Sequence, residues 1–172
     1  MQGPRVSLRR MTVDDTDTVL RLRAEPGALA QLFSDAPPTR EAHLRWLADV
    51  EARGDRHEFV IVDLQSGRAV GTIGLSQIDR RHRRAEYGVL IGEPDARGKG
   101  LAADASRLLL RYAFGDLGLH RVYLHVFADN EPALRLYERL GFKTEGCLRQ
   151  HASKEGRLKD VIVMAILATE AP

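Results

Sequence analysis

The sequence predicts a mixed α/β (α+β) fold in which a single twisted, mostly antiparallel sheet of about six to seven strands is flanked by about four helices. Two observations predict this class. Three apolar segments in the first half of the chain are separated by short polar turns, as in an antiparallel meander. Farther along, a strand, a glycine-rich loop, an amphipathic helix and another strand indicate one parallel crossover. Because no linker or repeat divides the sequence, we expect one domain over residues 1–172.

The first half of the chain mixes short strands with amphipathic helices. Residues 6–10 alternate apolar and polar side chains like a strand, and the helix that begins near Thr12 ends at Pro26. A second helix begins at Thr39 and ends at Gly54. The three apolar strands that follow are residues 59–64, 70–78 and 85–91. We interpret the basic run between the last two as a solvated hairpin turn.

The second half supplies the crossover and closes the sheet. The helix after the glycine-rich loop runs to about Leu117, and a strand follows over residues 122–127. Asn130 can cap the next helix, which has Pro132 in its first turn and ends at Gly141. The last two strands are residues 142–145 and 161–167, on either side of residues 155–157.

The composition excludes several classes of protein. Of the 172 residues, 44% are hydrophobic and 29% are charged, which is ordinary for a globular domain, and the net charge of +2 gives no footprint for nucleic acid. A single cysteine, Cys147, excludes a disulfide within the chain and a multi-cysteine metal site. The six histidines lack metal-ligand spacing, so we expect no metal. The sequence has neither a membrane span nor the apolar core of a signal peptide, and we expect a cytoplasmic protein.

The strongest functional signal is the loop Arg97–Ala102, which reads Arg-Gly-Lys-Gly-Leu-Ala between a predicted strand and a predicted helix. Gly98 and Gly100 allow the main chain to approach a ligand without an intervening side chain. N–H groups at the N-terminus of a helix bind phosphate. The loop therefore predicts an anionic, nucleotide-like ligand.

The residues alone leave more than one interpretation of this loop. A P-loop is excluded, because the spacing from Gly92 to Lys99 is wrong by one residue and Gly100 replaces the hydroxyl residue that would bind magnesium. A dinucleotide site is disfavoured although Gly98, Gly100 and Ala103 fit its pattern, because five residues separate the strand from the first glycine. An ordinary strand-to-helix connection stays open.

Two later segments carry a family resemblance together with this loop. They are Asn130–Ala133, with the sequence Asn-Glu-Pro-Ala, and Leu136–Phe142, with the sequence Leu-Tyr-Glu-Arg-Leu-Gly-Phe. In this order the three segments resemble the signatures of the GNAT superfamily of N-acetyltransferases, and the resemblance covers almost the whole chain. Residues 82–87 are similar to those of spermidine N-acetyltransferases. Residues 156–160 resemble both that branch and the ribosomal-protein N-terminal acetyltransferases.

The resemblance implies the GNAT fold, acetyl-coenzyme A (acetyl-CoA) as the donor and a primary amine as the acceptor. Tyr137 is implied as the general acid that protonates the departing sulfur, and Asn130 as a ligand of the pantetheine arm besides its capping role. Main-chain N–H groups of residues 98–102 would hold the pyrophosphate, and those near residues 89–91 would stabilise the oxyanion. The remaining residues implied in cofactor binding are Val89, Leu90, Ile91, Arg97, Gly98, Lys99, Gly100, Leu101 and Ala102.

Glu86 is the candidate general base. A primary amine with a pKa near 10.4 is neutral in fewer than about one molecule in a thousand at pH 7, so a proton must leave before the amine attacks the thioester. Glu86 lies on the strand that leads to the glycine-rich loop and matches the catalytic glutamate of some GNAT proteins. The alternative is a structural glutamate that pairs with Arg83 or Arg84.

The acceptor is the open part of the function. The resemblance favours a small polyamine-like amine, but the segment of residues 25–45 offers only Asp35 and then Glu41, whereas polyamine binding requires clustered acids. The alternatives are the N-terminus of a (ribosomal) protein, an amino sugar and an amine-bearing antibiotic. An NAD-binding enzyme and a non-catalytic CoA-binding module are the competing classes. We expect no nucleic-acid or membrane partner, and the resemblance allows a homodimer.

Overall fold

The structure is a computed structural model that describes residues 1–171, and all seven of its strands belong to one sheet. The strands are β1 (Val6–Arg10), β2 (His57–Asp63), β3 (Ala69–Asp79), β4 (Arg84–Ile91), β5 (Arg121–Phe127), β6 (Lys143–Lys154) and β7 (Arg157–Leu167). The helices are α1 (Thr16–Ala24), α2 (Pro26–Leu29), α3 (Arg40–Arg53), α4 (Leu101–Arg111) and α5 (Glu131–Arg139). The strand order is β1-β2-β3-β4-β5-β7-β6, and only the β4–β5 pair is parallel. The predicted fold class, with its meander and its single crossover, is confirmed.

The structure has five α-helices within residues 1–171, one more than the sequence predicted. The additional helix is α2, which begins at Pro26, where we expected helical structure to end. Proline fits the first turn of a helix, because its missing N–H has no partner there in any case. The Glu25 carboxylate also accepts a hydrogen bond from the Ala28 N–H at 2.7 Å and caps the new helix. Pro26 therefore starts a short helix immediately after α1 ends.

The C-terminal hairpin is longer than predicted. We expected short strands at residues 142–145 and 161–167, whereas β6 and β7 are joined by a two-residue turn at Glu155 and Gly156. Both turn residues have positive φ, 51° and 75°, as a tight hairpin of right-handed twist requires. Most of β6 is exposed at the edge of the sheet, so its sequence lacks the apolar alternation that identifies a half-buried strand.

The core lies between the sheet and the apolar face of α4. The helix buries the apolar residues that its period predicted, namely Leu101, Ala105, Leu108 and Leu109, against the strands. A buried carboxylate fixes the position of α4 relative to β1. Asp104 Oδ2 accepts hydrogen bonds from the Arg5 N–H at 2.9 Å and from the Val6 N–H at 3.1 Å. The N-terminal segment and the start of α4 are thereby held together.

We expect Asp104→Ala to lower the free energy of unfolding by about 2 kcal/mol, because two backbone N–H groups lose a charged acceptor in a buried place. Urea unfolding followed by circular dichroism measures this loss. Asp49→Ala is the matched control, since Asp49 is an exposed aspartate on α3. Equal unfolding midpoints for the two variants would contradict the assigned role of Asp104.

Candidate active site

The parallel strands β4 and β5 separate soon after they pair. Their pairing covers three residue pairs, the last of which is Glu86 with Tyr123, although β4 continues to Ile91 and β5 to Phe127. Beyond Glu86, β4 pairs only with β3 among residues 1–171. The separation opens a cleft of about 1120 Å³ that residues of both strands line. The main-chain N–H groups on the open side of β4 are available to a ligand in this cleft.

The cleft collects nearly all of the site residues that the sequence predicted. Those that line it are Glu86, Val89, Leu90, Ile91, Arg97, Gly98, Gly100, Leu101, Ala102, Asn130 and Tyr137. Lys99 differs, because it is exposed and is not among the lining residues. The structure therefore brings a strand, a loop and two helices together at one place, as the order of the motifs indicated.

The glycine-rich loop has the geometry of an anion site. Gly98 and Gly100 have φ angles of 74° and 77°, which side chains other than glycine rarely adopt, and Gly100 is the N-cap of α4. The first N–H groups of α4 have no acceptor within the helix, and its dipole places partial positive charge at this end. Arg5 Nη1 donates to the Lys99 carbonyl at 2.6 Å and holds the loop from behind. The loop thus offers main-chain donors to a phosphate in the cleft.

The side chain of Arg97 is engaged by the protein. Its guanidinium pairs with Glu25, and its Nε donates to the Ile91 carbonyl at 3.2 Å. The hydrogen bond from Arg97 holds the pKa of Glu25 below its usual value. Arg97 therefore ties the end of β4 to the start of α2. Arg107, an exposed cation on α4, also lines the cleft and was missed by sequence analysis, because its position becomes evident only when α4 is placed.

Glu86 is the centre of a hydrogen-bonded cluster. Its Oε1 lies 2.8 Å from His125 Nδ1 on β5, and its Oε2 accepts from Gln77 Nε2 at 2.5 Å. The alternative of an ion pair with Arg83 or Arg84 is wrong. Arg83 Nε donates to the Gly118 carbonyl, and Arg84 Nε lies 3.7 Å from Asp79 Oδ2.

Sequence analysis missed both partners of Glu86. Gln77 lies where β3 bulges against β4, with a φ of 50°, and such a bulge redirects a side chain. His125 is two residues beyond Tyr123, which pairs with Glu86. Only the register of the parallel crossover reveals this proximity, although alternation along the predicted strand would have placed His125 on the same face as Tyr123.

Tyr137 is buried on α5 with only 7% of its surface exposed. Its ring meets the Tyr87 ring edge to face, with centroids 5.9 Å apart. Burial raises the pKa of Tyr137 to about 12, and its hydroxyl has no hydrogen-bond partner within residues 1–171. The phenol is therefore protonated throughout the neutral range, with its donor free for a ligand.

Asn130 caps α5 as its sequence context predicted. Its Oδ1 accepts a hydrogen bond from the Ala133 N–H at 3.2 Å. Pro132 occupies the first turn of the same helix. The cap fixes the start of the helix that carries Tyr137, and Asn130 itself lines the cleft.

The acids that reach the cleft are not those that the sequence offered for the acceptor. Asp35 faces the C-terminal hairpin, where Oδ1 accepts from the Glu155 N–H at 3.1 Å and lies 3.7 Å from Lys154 Nζ. Glu41 is exposed and lines no part of the cleft. Within residues 1–171, the carboxylates that line the cleft are those of Glu86 and of Glu58 on β2. Glu58 was missed because it lies outside the segment in which acceptor residues were expected.

No helix within residues 1–171 is long and apolar enough to cross a membrane. In the same part of the chain, no group of three or more histidine, cysteine, aspartate or glutamate side chains is placed to hold a metal ion.

Comparison with known proteins shows the family and the fold of this chain. The model of the acetyltransferase (GNAT) domain matches residues 5–143. The spermidine N(1)-acetyltransferase of Escherichia coli K12 is 39% identical over 161 residues, which cover 94% of this chain and 85% of the relative. An uncharacterised N-acetyltransferase of Bacillus licheniformis, p20, is 31% identical over 170 residues, or 96% of this chain and 94% of that protein. The crystal structure of the Vibrio cholerae spermidine N-acetyltransferase in complex with CoA and spermine superimposes with a TM-score of 0.89 at 30% identity, covering 96% of each chain.

Proposed function

Because the chain belongs to the acetyltransferase (GNAT) family, we propose that it moves the acetyl group of acetyl-CoA to a primary amine of a small molecule, by direct attack in a ternary complex. The observation that supports this most is the opening between β4 and β5. Through this opening Glu86, the glycine-rich loop and Tyr137 all line one cleft. A single sheet that contains every strand within residues 1–171 supports a single domain over the chain.

The residues of the cleft fit acetyl-CoA. Gly98 and Gly100 have positive φ angles, and apart from the neighbours of Gly98 in the chain no atom of residues 1–171 lies within 4 Å of where a Cβ atom at Gly98 would be. This leaves room for a phosphate against the main chain. Bound acetyl-CoA would supply the acetyl group as a thioester, whose carbonyl carbon a neutral amine attacks. We assign the pyrophosphate to the N–H groups at the start of α4 and further phosphate charge to Arg107. Asn130 is assigned to the pantetheine arm.

Glu86 accepts a proton from the acceptor ammonium, directly or through a water molecule, and so makes the nitrogen lone pair available. His125 and Gln77 hold the carboxylate by hydrogen bonds to both oxygens. As the new carbon–nitrogen bond forms, the carbonyl oxygen gains negative charge. The N–H groups of residues 89–91, on the side of β4 that β5 has left, are assigned to stabilise that charge.

Tyr137 donates its phenol proton to the sulfur when the carbon–sulfur bond breaks. Because its pKa is raised to about 12, the proton is present at any neutral pH. The nitrogen loses its second proton as the amide forms, so the balance is one ammonium and one thioester converted to one amide, one thiol and one released proton. That proton balance returns Tyr137 to its protonated form for the next cycle.

The acceptor class follows the relatives and the charge of the cleft. Relatives named as spermidine N-acetyltransferases make polyamines the first acceptors to test, and the Glu86 carboxylate is the group that we assign to the reacting ammonium. The N-terminus of a ribosomal protein is the second candidate, because the sequence at residues 156–160 is similar to both branches.

A thiol-release assay over a panel of amines tests the proposed function. We expect release of CoA thiol that depends on an amine, with at least one of the polyamines, N-terminal peptides, amino sugars and aminoglycosides as acceptor. Calorimetry should detect binding of acetyl-CoA and none of NAD. Binding of NAD without acetyl-CoA would indicate a dinucleotide enzyme. Binding of acetyl-CoA with no thiol release for any amine would indicate a non-catalytic CoA-binding module.

A further inference from the structure

A second pocket, of about 370 Å³, opens beside the part of the cleft that Glu58 lines, and we call it the side pocket. Trp46 and His43 of α3 form part of its wall. It shares five lining residues with the main cleft: Arg23, Ser34, Arg56, Glu58 and Thr72. The two spaces are therefore neighbours that share a wall, and because Arg23, Arg56 and Glu58 also line the main cleft, they border the same space as Glu86.

The side pocket carries an excess of positive charge. Arg56 Nη1 lies 3.2 Å from Glu58 Oε1, and its guanidinium stacks over the Trp46 ring at 5.6 Å. Arg23, half-buried on α1, makes no hydrogen bond or ion pair within residues 1–171, and the nearest opposite charge that acts on it is again Glu58. Two guanidinium groups thus share one carboxylate. Burial lowers the pKa of Arg23. The side chain is nevertheless charged at neutral pH, because the guanidinium of an arginine is not deprotonated in proteins.

His43 adds no charge of its own. Burial is the main cause that holds the pKa of His43 below its usual value, and the positive charge of nearby Arg23 is the second. The imidazole is therefore neutral at pH 7. Thr16 Oγ1 donates its single hydrogen to the Val13 carbonyl at 2.7 Å, and it must therefore accept from His43 Nδ1 at 3.3 Å. Glu58 is paired with Arg56, whereas Arg23 has no counter-ion of its own within residues 1–171. Removing the charge of Arg23 from water costs free energy unless a ligand supplies an opposite charge.

We infer that the side pocket binds an oxyanion of the acceptor, so the acceptor is a primary amine that also carries a carboxylate or a phosphate. This inference rests on the proposed acetyl transfer. A guanidinium matches the geometry of either oxyanion through two parallel hydrogen bonds, and Arg23 has all of its donors free for that purpose. A polyamine would instead place a second ammonium beside two arginines.

The sheet register gives the separation of Glu58 and Glu86, which mark the two ends of the space for such an acceptor. Glu58 pairs with Gly74, and Gly74 pairs with Gly88, which is two residues from Glu86 along β4. With strands about 5 Å apart and about 3.4 Å per residue, the Cα atoms of Glu58 and Glu86 are roughly 12 Å apart on one face of the sheet. Apart from the neighbours of Gly88 in the chain, no atom of residues 1–171 lies within 4 Å of the place where a side chain at Gly88 would begin, whereas the Glu58 carboxylate lies over Gly74. An acceptor that reaches both ends therefore carries several aliphatic carbons between its amine and its oxyanion, as lysine and ornithine do.

Matched pairs of amines test the inference. Lysine against cadaverine and ornithine against putrescine differ only in the carboxylate, while aminopentyl phosphate against cadaverine tests the phosphate. A short peptide against its C-terminal amide tests an oxyanion attached to an α-amine acceptor. We expect the oxyanion-bearing member of at least one pair to have a kcat/KM about ten- to a hundredfold higher, and the pair that shows it identifies the source of the oxyanion.

Substitution of Arg23 should remove this preference. In Arg23→Gln the KM for the oxyanion-bearing amine should rise to that of its partner while kcat changes little, and Arg23→Lys should retain part of the preference. Arg45→Gln, an exposed arginine of α3 outside both pockets, is the control and should behave like the unmodified protein. If Arg23→Gln does not fold, Arg56→Gln and calorimetric binding of lysine and cadaverine to the CoA-loaded protein give the same comparison.

The outcomes separate the two proposals. Thiol release that is equal within every pair, or higher for the diamines and unaffected by Arg23→Gln, would overturn the inference and leave the transferase intact. Failure of every amine to release thiol, with acetyl-CoA bound, would overturn the transferase proposal, and the inference with it. A lower KM for the oxyanion-bearing amine that Arg23→Gln abolishes would support both.

Discussion

Tyr137→Phe should lower the single-turnover rate of acetyl transfer by about 10²-fold or more and leave the dissociation constant of acetyl-CoA unchanged. The substitution removes only the hydroxyl, which has no hydrogen-bond partner within residues 1–171, and it keeps the ring that packs edge to face on Tyr87. The fold should therefore be unaffected. The decrease in rate measures how much proton donation from the phenol to the leaving sulfur contributes to the reaction.

Single-turnover kinetics with saturating amine measure this step without interference from product release, and calorimetry measures the binding of acetyl-CoA. Tyr112→Phe is the matched control, because Tyr112 hydrogen-bonds His57 and does not line the cleft. If Tyr137→Phe turned over like this control, Tyr137 would be a packing residue of α5 and another group, or water, would protonate the thiol.

Glu86→Gln should lower kcat/KM by about 10²-fold near neutral pH, and the deficit should become smaller as the pH rises toward 10. At neutral pH nearly all of the acceptor is an ammonium, so loss of the base removes the route by which its proton leaves. At alkaline pH the fraction of neutral amine rises by itself, since primary amines have a pKa near 10.4. The amide of glutamine can still accept a hydrogen bond from Gln77, which keeps part of the cluster in place.

A pH profile of kcat/KM for the two proteins is the measurement, and Glu51→Gln on the exposed side of α3 is the control. A deficit that stays constant from pH 6 to pH 10 would show that Glu86 orients the acceptor and does not accept its proton. An unaltered profile and rate would exclude Glu86 from the reaction altogether.

Several features of the fold were predictable because their signals are local. The apolar period of α4, the glycines that punctuate the loop before it, and the Asn130 cap with Pro132 each depend on residues close in sequence. The order of meander and crossover followed from the same patterns. The helix α2 and the long hairpin of β6 and β7 were not predictable in this way. A proline that starts a helix and one that ends it look alike, and an exposed edge strand shows no apolar alternation.

The candidate site likewise contains residues that local motifs predicted and residues that only the packing of distant segments brings together. The loop of residues 97–102 and the position of Tyr137 could be predicted because each belongs to a contiguous motif, and both line the cleft. The contact of Glu86 with His125 joins residues on strands that are separated by the whole crossover helix. The pairing of Arg56 with Glu58, and the approach of Arg23 from α1, likewise depend on how distant segments pack.

The sequence by itself predicted the loop that we propose for the phosphates of the donor, because phosphate is bound mainly by main-chain groups whose conformation a short run of glycines at a helix start specifies. Only the tertiary structure decided what surrounds the acceptor. Its walls come from α1, α3, β2, β3 and β4. The charge at the end of that space is the sum of Arg23 on α1, Arg56 just before β2 and Glu58 on β2. Such a sum has no local signature, since each arginine or glutamate is an ordinary surface residue until the sheet places them side by side.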